Sequence, residues 1–413
     1  MYEKMKKIKR VGVETLFINK TEEQLKELGV YHTHKEISHQ PALWGETYQY
    51  IQREKDRIQA FFHAITAKYE SVKVILTGAG TSAFVGDTVE PYLTKVCENK
   101  AFTIHSIPTT NIVSNPRYYL EENMPTIMVS FARSGNSPES VAAVELGEQI
   151  VKDFYSIHIT CNPDGFLAKK PDTRNRTLLL VMPEGSNDES FAMTSSFTCM
   201  MLSVLLIFQM DRLDALEDNV NWIMDTGNNV FEHSLPTLKE LSSIPFTSLI
   251  YLGSGTLLGL SHEASLKMLE LTDGNVFTYF ESPLGFRHGP KTLLNDKNLT
   301  VVFISSNPYT QKYDLDILKE LYAEKNRCGL NVMAISNQYI NDAEENSDYY
   351  LSIKTELDIP ASLDDVWLSF PYIIYAQILA VYKSLNLKIT PDNPVPNGSV
   401  NRVVQGVTIY PFE

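Results

Sequence analysis

Four cysteines in 413 residues, none at a C-x-x-C spacing, leave no material for a disulfide framework or a thiolate zinc site. Cys97, Cys161, Cys199 and Cys328 read instead as free thiols of a reducing cytoplasm. Basic residues are also in deficit: 36 Lys and Arg against 50 Asp and Glu give a net charge of -14, with a pI near 5.2. The long-range field therefore repels phosphate polyanions and excludes a general nucleic-acid or anionic-membrane surface. A small phosphorylated ligand stays admissible, because a local nest of N–H and O–H donors overrides the global field. Long hydrophobic runs are missing as well. Residues 197–210 form an apolar stretch too short to span a bilayer and end at Asp211-Arg212, which predicts a buried helix. Residues 1–9 are basic but are not followed by the apolar region of a signal peptide, so no secretion is expected.

What the chain does have is one pattern twice. Val74-Ile75-Leu76-Thr77 runs into Gly78-Ala79-Gly80-Thr81, and 175 positions on Leu249-Ile250-Tyr251-Leu252 runs into Gly253-Ser254-Gly255-Thr256. At the same offset Met128-Val129-Ser130 faces Phe303-Ile304-Ser305, and Ile159-Thr160-Cys161-Asn162 faces Ala334-Ile335-Ser336-Asn337. Segments that keep register over this distance predict a duplicated domain, two similar units of roughly 165 to 180 residues each.

The expected partition is a helical arm over 1–46, a first domain over 47–213, a helical linker over 214–243, a second domain over 244–390 and an extended tail over 391–413. Within the arm Thr21 opens a capped helix and Pro41 marks a break. A helix follows over 47–69, and the tail ends in a short strand near Val407-Thr408-Ile409. Strands alternating with helices imply an α/β fold whose parallel sheets carry helices on both faces, with ligands beyond the carboxyl ends of the strands.

Three loops there carry chemistry. Gly78 to Ser82 lets backbone approach a ligand and offers hydroxyls at a helix start. It is neither a dinucleotide fingerprint, since Phe84 follows Ala83 where a third glycine belongs, nor a P-loop. The loop from Ser130 to Glu139 is more telling. It places Ser130, Ser134 and Ser137, the Arg133 guanidinium and Gly135 at a helix start, which suits a phosphate monoester better than a capped turn with a solvated arginine. A third polar loop over 184–196, ending in Thr194-Ser195-Ser196, either completes that pocket or caps the next helix.

In the second half Glu263, Lys267 and Glu270 fall at i, i+4 and i+7 of one helix and share a face. Such a stripe on an arbitrary helix is a surface ion-pair ladder. Here it follows a ligand-type loop and precedes His288, held between Arg287 and Gly289-Pro290, and the grouping suits proton transfer at a carbon next to a carbonyl. That chemistry requires neither metal nor nucleotide cofactor. His32, His34 and His39 lack an accompanying carboxylate pattern and read as surface or interface histidines rather than metal ligands.

On these residues the chain resembles the sugar isomerase (SIS) superfamily, and within it the tagatose-6-phosphate ketose/aldose isomerase-like group, also described as galactosamine-6-phosphate deaminase/isomerases. The resemblance extends to His34-Lys35-Glu36-Ile37 and Gln40-Pro41-Ala42-Leu43-Trp44. It implies two tandem SIS domains of flavodoxin-like, doubly wound type, and a sugar phosphate as substrate. By similarity to the isomerase half of glucosamine-6-phosphate synthase, Arg133, Ser134 and Ser137 hold the phosphate, and Thr81, Ser82 and Thr194 line the pocket. Glu270 is implied as the base between C1 and C2, with Lys267 and Glu263 as its partners. His288 is implied in ring opening, reaching into a neighbouring subunit of a homodimer or homotetramer.

The chain departs from the pattern at two places. Ala132 stands where the family carries a serine, and Gln405 where the synthase carries a ring-opening lysine. No glutaminase domain precedes the two halves, which makes release of ammonia the expected direction. The expected reaction is conversion of galactosamine 6-phosphate to tagatose 6-phosphate and ammonia. Its rivals are a fructosamine-6-phosphate deglycase, a simple aldose/ketose isomerase, and a non-catalytic sugar-phosphate sensor, which would have no use for Glu270 and His288.

Overall fold

The computed structural model describes residues 17, 20–170, 172, 175–404 and 406–413. The basic segment 1–9 and Gln405 lie outside them. Among the described residues ten strands form two parallel sheets of five. The first contains β1 (Val72–Thr77), β2 (Phe102–Ser106), β3 (Thr126–Ala132), β4 (Phe154–Thr160) and β5 (Thr177–Val181), in the order β2-β1-β3-β4-β5. The second contains β6 (Ser248–Leu252), β7 (Phe277–Glu281), β8 (Asn298–Phe303), β9 (Asn331–Ser336) and β10 (Tyr349–Ser352), in the order β7-β6-β8-β9-β10. Numbered within each half, both read 2-1-3-4-5, the doubly wound order whose ligand crevice opens where the first and third strands diverge.

Period-two alternation assigns the faces. In the first sheet Val74, Leu76, Ile127 and Val129 enter one large core, while Ile75 and Met128 point into a smaller cluster beneath the outer helices. In the second, Leu249, Tyr251 and Val301 enter that same large core, and Ile250, Leu252 and Val302 enter an outer cluster of their own. The two sheets thus share a core. Its centre is filled by the helices Ser195–Ile207, every residue of which is buried, and Asp365–Asn386. By length and composition the latter could cross a membrane, but it is buried almost throughout, as a core helix is.

The fixed offset of 175 holds at the first strand and fails at the others. Thr77 pairs with Ser130 and Ser130 with His158, whereas Leu252 pairs with Val302 and Val302 with Ala334. Equivalent positions are therefore 175, 172 and 176 apart. The central strands are continuous apolar runs buried on both faces, so no polar alternation fixes their register in the sequence.

Three local expectations also need correction. A helix begins at Gln40 rather than after Pro41, because proline fits the first helical turn, and it runs to Arg53 across the expected boundary at 46/47. The helix expected over 47–69 is two helices, Gln40–Arg53 and Lys55–Thr66. Residues 407–409 form no strand. They lie against the helix Pro138–Ile150, where Gln149 Nε2 donates to the Phe412 carbonyl at 2.9 Å, and a helix flank offers no ladder partner.

Candidate active site

Two turns of the same shape start the site. Gly80 and Gly255 both have φ near +57°, at +56° and +58°, with strongly negative ψ, a conformation open to glycine alone. Each launches a 16-residue helix, Thr81–Val96 and Thr256–Leu271. These helices cross at Gly259, where a Cβ would stand 2.6 Å from the backbone of Asp87 and Thr88. The close crossing carries the stripe of the second helix into the first half.

Glu263 and Lys267 are fully buried, so the surface-ladder alternative is gone. Lys267 Nζ donates to Thr81 Oγ1 at 3.0 Å and to Glu270 Oε2 at 2.5 Å, and stands 3.4 Å from Glu263 Oε1. Burial alone would pull the lysine down, but Glu263 and Glu270 outweigh it and hold the ammonium above its ordinary range. Neither oxygen of Glu263 has a hydrogen-bond partner. Burial, reinforced by Glu270 and opposed by Lys267, raises its carboxyl to about 8. Lys267 lies closer to Glu270 than to Glu263, and Glu270 is the one member of the stripe that reaches open space.

That space is a cavity of about 200 Å³ at the carboxyl end of the first sheet. Thr81, Ser82, Arg133, Ser134, Ser137 and Glu270 all line it. Ser137 is the N-cap of Pro138–Ile150 but makes no side-chain cap bond, which leaves its hydroxyl and the helix start to a ligand. The cavity offers anion donors at one side and a carboxylate–lysine pair at another.

Other expected residues sit elsewhere. Ser130 is buried inside β3 and its hydroxyl has no partner. Thr194 is buried behind the wall, with its amide 2.8 Å and its hydroxyl 3.2 Å from the Asp188 carboxylate, and does not line the cavity. Ser195 and Ser196 also donate their amides to Asp188, so the third loop caps the apolar helix from a distance. His288 is exposed and off the cavity, on a loop that Arg287 anchors to Asp316 and Glu320. Of the early histidines His34 is buried. His39 is half-buried, lies 2.8 Å from Ser195 Oγ, and is lowered to about 4 by burial.

Several wall residues were not anticipated. Phe191 and Met193 reach the cavity from the third loop, and Asn401 and Arg402 from the tail. Glu139, the second residue of the helix Pro138–Ile150, lines it with a buried, unpartnered Oε2. Glu36 accepts the amides of Glu189 and Ser190 and the Ser190 hydroxyl, and so fixes the third loop. Burial first, then the nearby Asp188, raises Glu36 to about 8. The signal for Glu36 was its place in the resembling segment; for Asp188 it was an acid just ahead of three hydroxyl residues at a helix start.

Two doubly wound sheets with an acid–lysine–acid helix crossing from one half to the other define an α/β protein of sugar-isomerase type. A model of the SIS domain matches residues 58–210. The D-galactosamine-6-phosphate deaminase AgaS of Shewanella sp. (strain ANA-3) is 41% identical over 391 residues, covering 94% of this chain and 94% of that protein. Among solved structures, a Clostridium novyi NT protein of the tagatose-6-phosphate ketose/aldose isomerase type superposes with a TM-score of 0.90 at 43% identity, over 95% of this chain and 98% of that one. The tagatose-6-phosphate ketose/aldose isomerase from Escherichia coli gives 0.81 at 37%, over 92% and 97%. The chain belongs to the SIS-domain family, in the group of the AgaS galactosamine-6-phosphate deaminases.

Proposed function

We propose that this protein is an enzyme that converts galactosamine 6-phosphate to tagatose 6-phosphate and ammonia. The observation that carries the reading is the Lys267–Glu270 pair opening onto the same cavity as Ser134 and Ser137. The phosphate binds at the serine loop, and Glu270 takes the C2 proton of the open-chain amino aldehyde. The resulting enol–enamine is protonated at C1, which leaves an imine at C2. Water adds to that imine and ammonia departs, so the atoms balance without an oxidant or a metal. Lys267, 2.5 Å from Glu270 and 3.4 Å from Glu263, places its ammonium against the carboxylate that meets the substrate.

His288 faces solvent on an anchored loop, with the neighbouring Leu284 half-exposed. This supports donation of the histidine to the cavity of a second subunit in a homodimer or larger assembly. The matching strand order supports descent of the halves from one duplicated domain, and the free thiols support a cytoplasmic site of action. The test is ammonia and ketose 6-phosphate production by purified protein from galactosamine 6-phosphate, with glucosamine 6-phosphate and a fructosamine 6-phosphate alongside. Preferred turnover of the galacto compound is the expected result. Turnover of a fructosamine 6-phosphate alone would instead select the deglycase.

A further inference from the structure

The two arginines of the cavity are used differently. Arg133 is buried, and its guanidinium is spent on backbone: NH1 donates to the carbonyls of Phe191 at 3.1 Å and Ser190 at 3.5 Å, and NH2 to that of Arg402 at 2.6 Å. Those bonds tie the third loop and the tail to the end of β3. Arg402 is exposed and lines the cavity, and the only hydrogen bond of its side chain among the described residues runs from NH2 to the Asp188 carbonyl. A guanidinium has five N–H donors, so most of those on Arg402 remain for a ligand.

Among the described residues neither group forms a direct ion pair, although the Glu139 and Glu270 carboxylates line the same cavity. The arginine ion pairs among the described residues involve Arg57, Arg176, Arg287 and Arg327. Two guanidiniums sharing one small cavity repel each other, as the depression of Arg133 by burial first and then by Arg402 reflects, and an entering dianion reduces that cost. The tail is not loosely placed either. Beyond Arg402 it is held where Gln149 donates to the Phe412 carbonyl and where the Arg117 guanidinium lies 5.3 Å from the Phe412 ring centre.

We infer that Arg402 is the guanidinium that grips the substrate's phosphate, and that Arg133 is a brace holding the Arg402 backbone and the third loop in position. This rests on the sugar-phosphate reading of the cavity and alters which arginine meets the ligand. Arg402 comes from the tail, so the anion site is complete only when the tail lies across the cavity.

Calorimetric titration of the full chain with inorganic phosphate tests this without reference to any sugar. The native chain is expected to bind phosphate, Arg402→Ala to bind it about 10- to 100-fold more weakly, and Arg402→Lys to fall between them, as loss of charge-assisted bonds implies. With galactosamine 6-phosphate, KM should rise by a similar factor in Arg402→Ala while kcat changes by less than about threefold, the signature of lost ground-state binding. Arg133→Lys should make the tail more sensitive to limited proteolysis than in the native chain. Native phosphate affinity in Arg402→Ala, no phosphate binding by the native chain, or an Arg133→Lys tail as protected as the native one would each overturn the assignment. Ammonia release by the native protein is read separately. If it is absent while Arg402→Ala loses phosphate, the substrate reading fails and the role of Arg402 stands.

Discussion

In the first half, the loop after the third strand presents Ser134 and Ser137 to an open cavity. In the second half, the loop after β8 presents Ser305 and Ser306 to the chain's own carboxylates. Asp365 accepts from both hydroxyls, at 2.5 and 2.7 Å, and from the Ser306 amide at 2.7 Å. Asp314 accepts from the Ser305 amide at 2.9 Å and from the Ser254 hydroxyl of the glycine turn at 2.8 Å. One fold therefore builds two anion cradles, and one of them is filled from within. The acid–base helix shows the converse. At positions 175 earlier, where the register of these two helices does hold, Glu263, Lys267 and Glu270 face Thr88, Tyr92 and Lys95. The first half has the open cradle without the acid, and the second has the acid without an open cradle. The helix crossing at Gly259 joins the two into one site.

The strongest test of that division is Glu270→Gln. If Glu270 rather than Glu139, which also lines the cavity, is the base, kcat for ammonia release should fall about 10²- to 10⁴-fold, the range of a lost general base. Phosphate affinity should be little changed, because the donors lie on the serine loop and the tail. A coincident loss of phosphate binding would show that the halves are not separable in this way.

Next in size is Asp365→Ala, which empties the second cradle. Three donors lose a charged acceptor in a buried place, and the thermal unfolding midpoint should drop by the equivalent of about 4 kcal/mol or more at roughly 1.5–3 kcal/mol per bond. Added inorganic phosphate should raise the midpoint of this variant more than that of the native chain, because a second anion site has been uncovered. An equal rise in both would mean that the Ser305 loop is not a cradle of the same kind.

How far the site could be read in the sequence depends on whether a feature is local. The GxGT turns and the stripe on one helix face are local geometry, set by glycine's positive φ and the 3.6-residue repeat, and they stand in the structure where expected. The register of β8 against β3 is not local. Both strands are apolar on two faces, and the offset fixed at Gly78 and Gly253 drifts as the connecting segments differ in length. Nor is the exact strand end, which decides that Ser130 is buried while Ser134, four residues on, meets the cavity. Thr194 looked like a ligand residue because its true partner, Asp188, lies six residues earlier, and the signal of an acid ahead of three hydroxyl residues went unread. Arg402 lies 269 positions from the arginine that braces it. Only the folded tail brings the pair together.

The smallest effect concerns pH and distinguishes the buried Glu263 from its neighbour at the cavity. Its carboxyl is raised from 4.5 to about 8, by burial first, with Glu270 adding to the shift and Lys267 and Thr81 opposing it. A group that keeps its proton longer in the folded than in the unfolded chain makes the folded state bind more protons between those two values. Stability therefore falls as pH rises from about 5 to about 8 and levels off above it. Glu263→Gln is neutral in both states and should flatten that slope. Lys267 would then answer to Glu270 alone, so the variant should retain the Lys267–Glu270 pair and most of the native kcat at pH 7. Unfolding midpoints of the two chains at intervals between pH 5 and pH 9 measure the difference. Parallel curves would mean that Glu263 is ionised throughout, and that Lys267 divides its charge between two carboxylates instead of committing it to the one that faces the substrate.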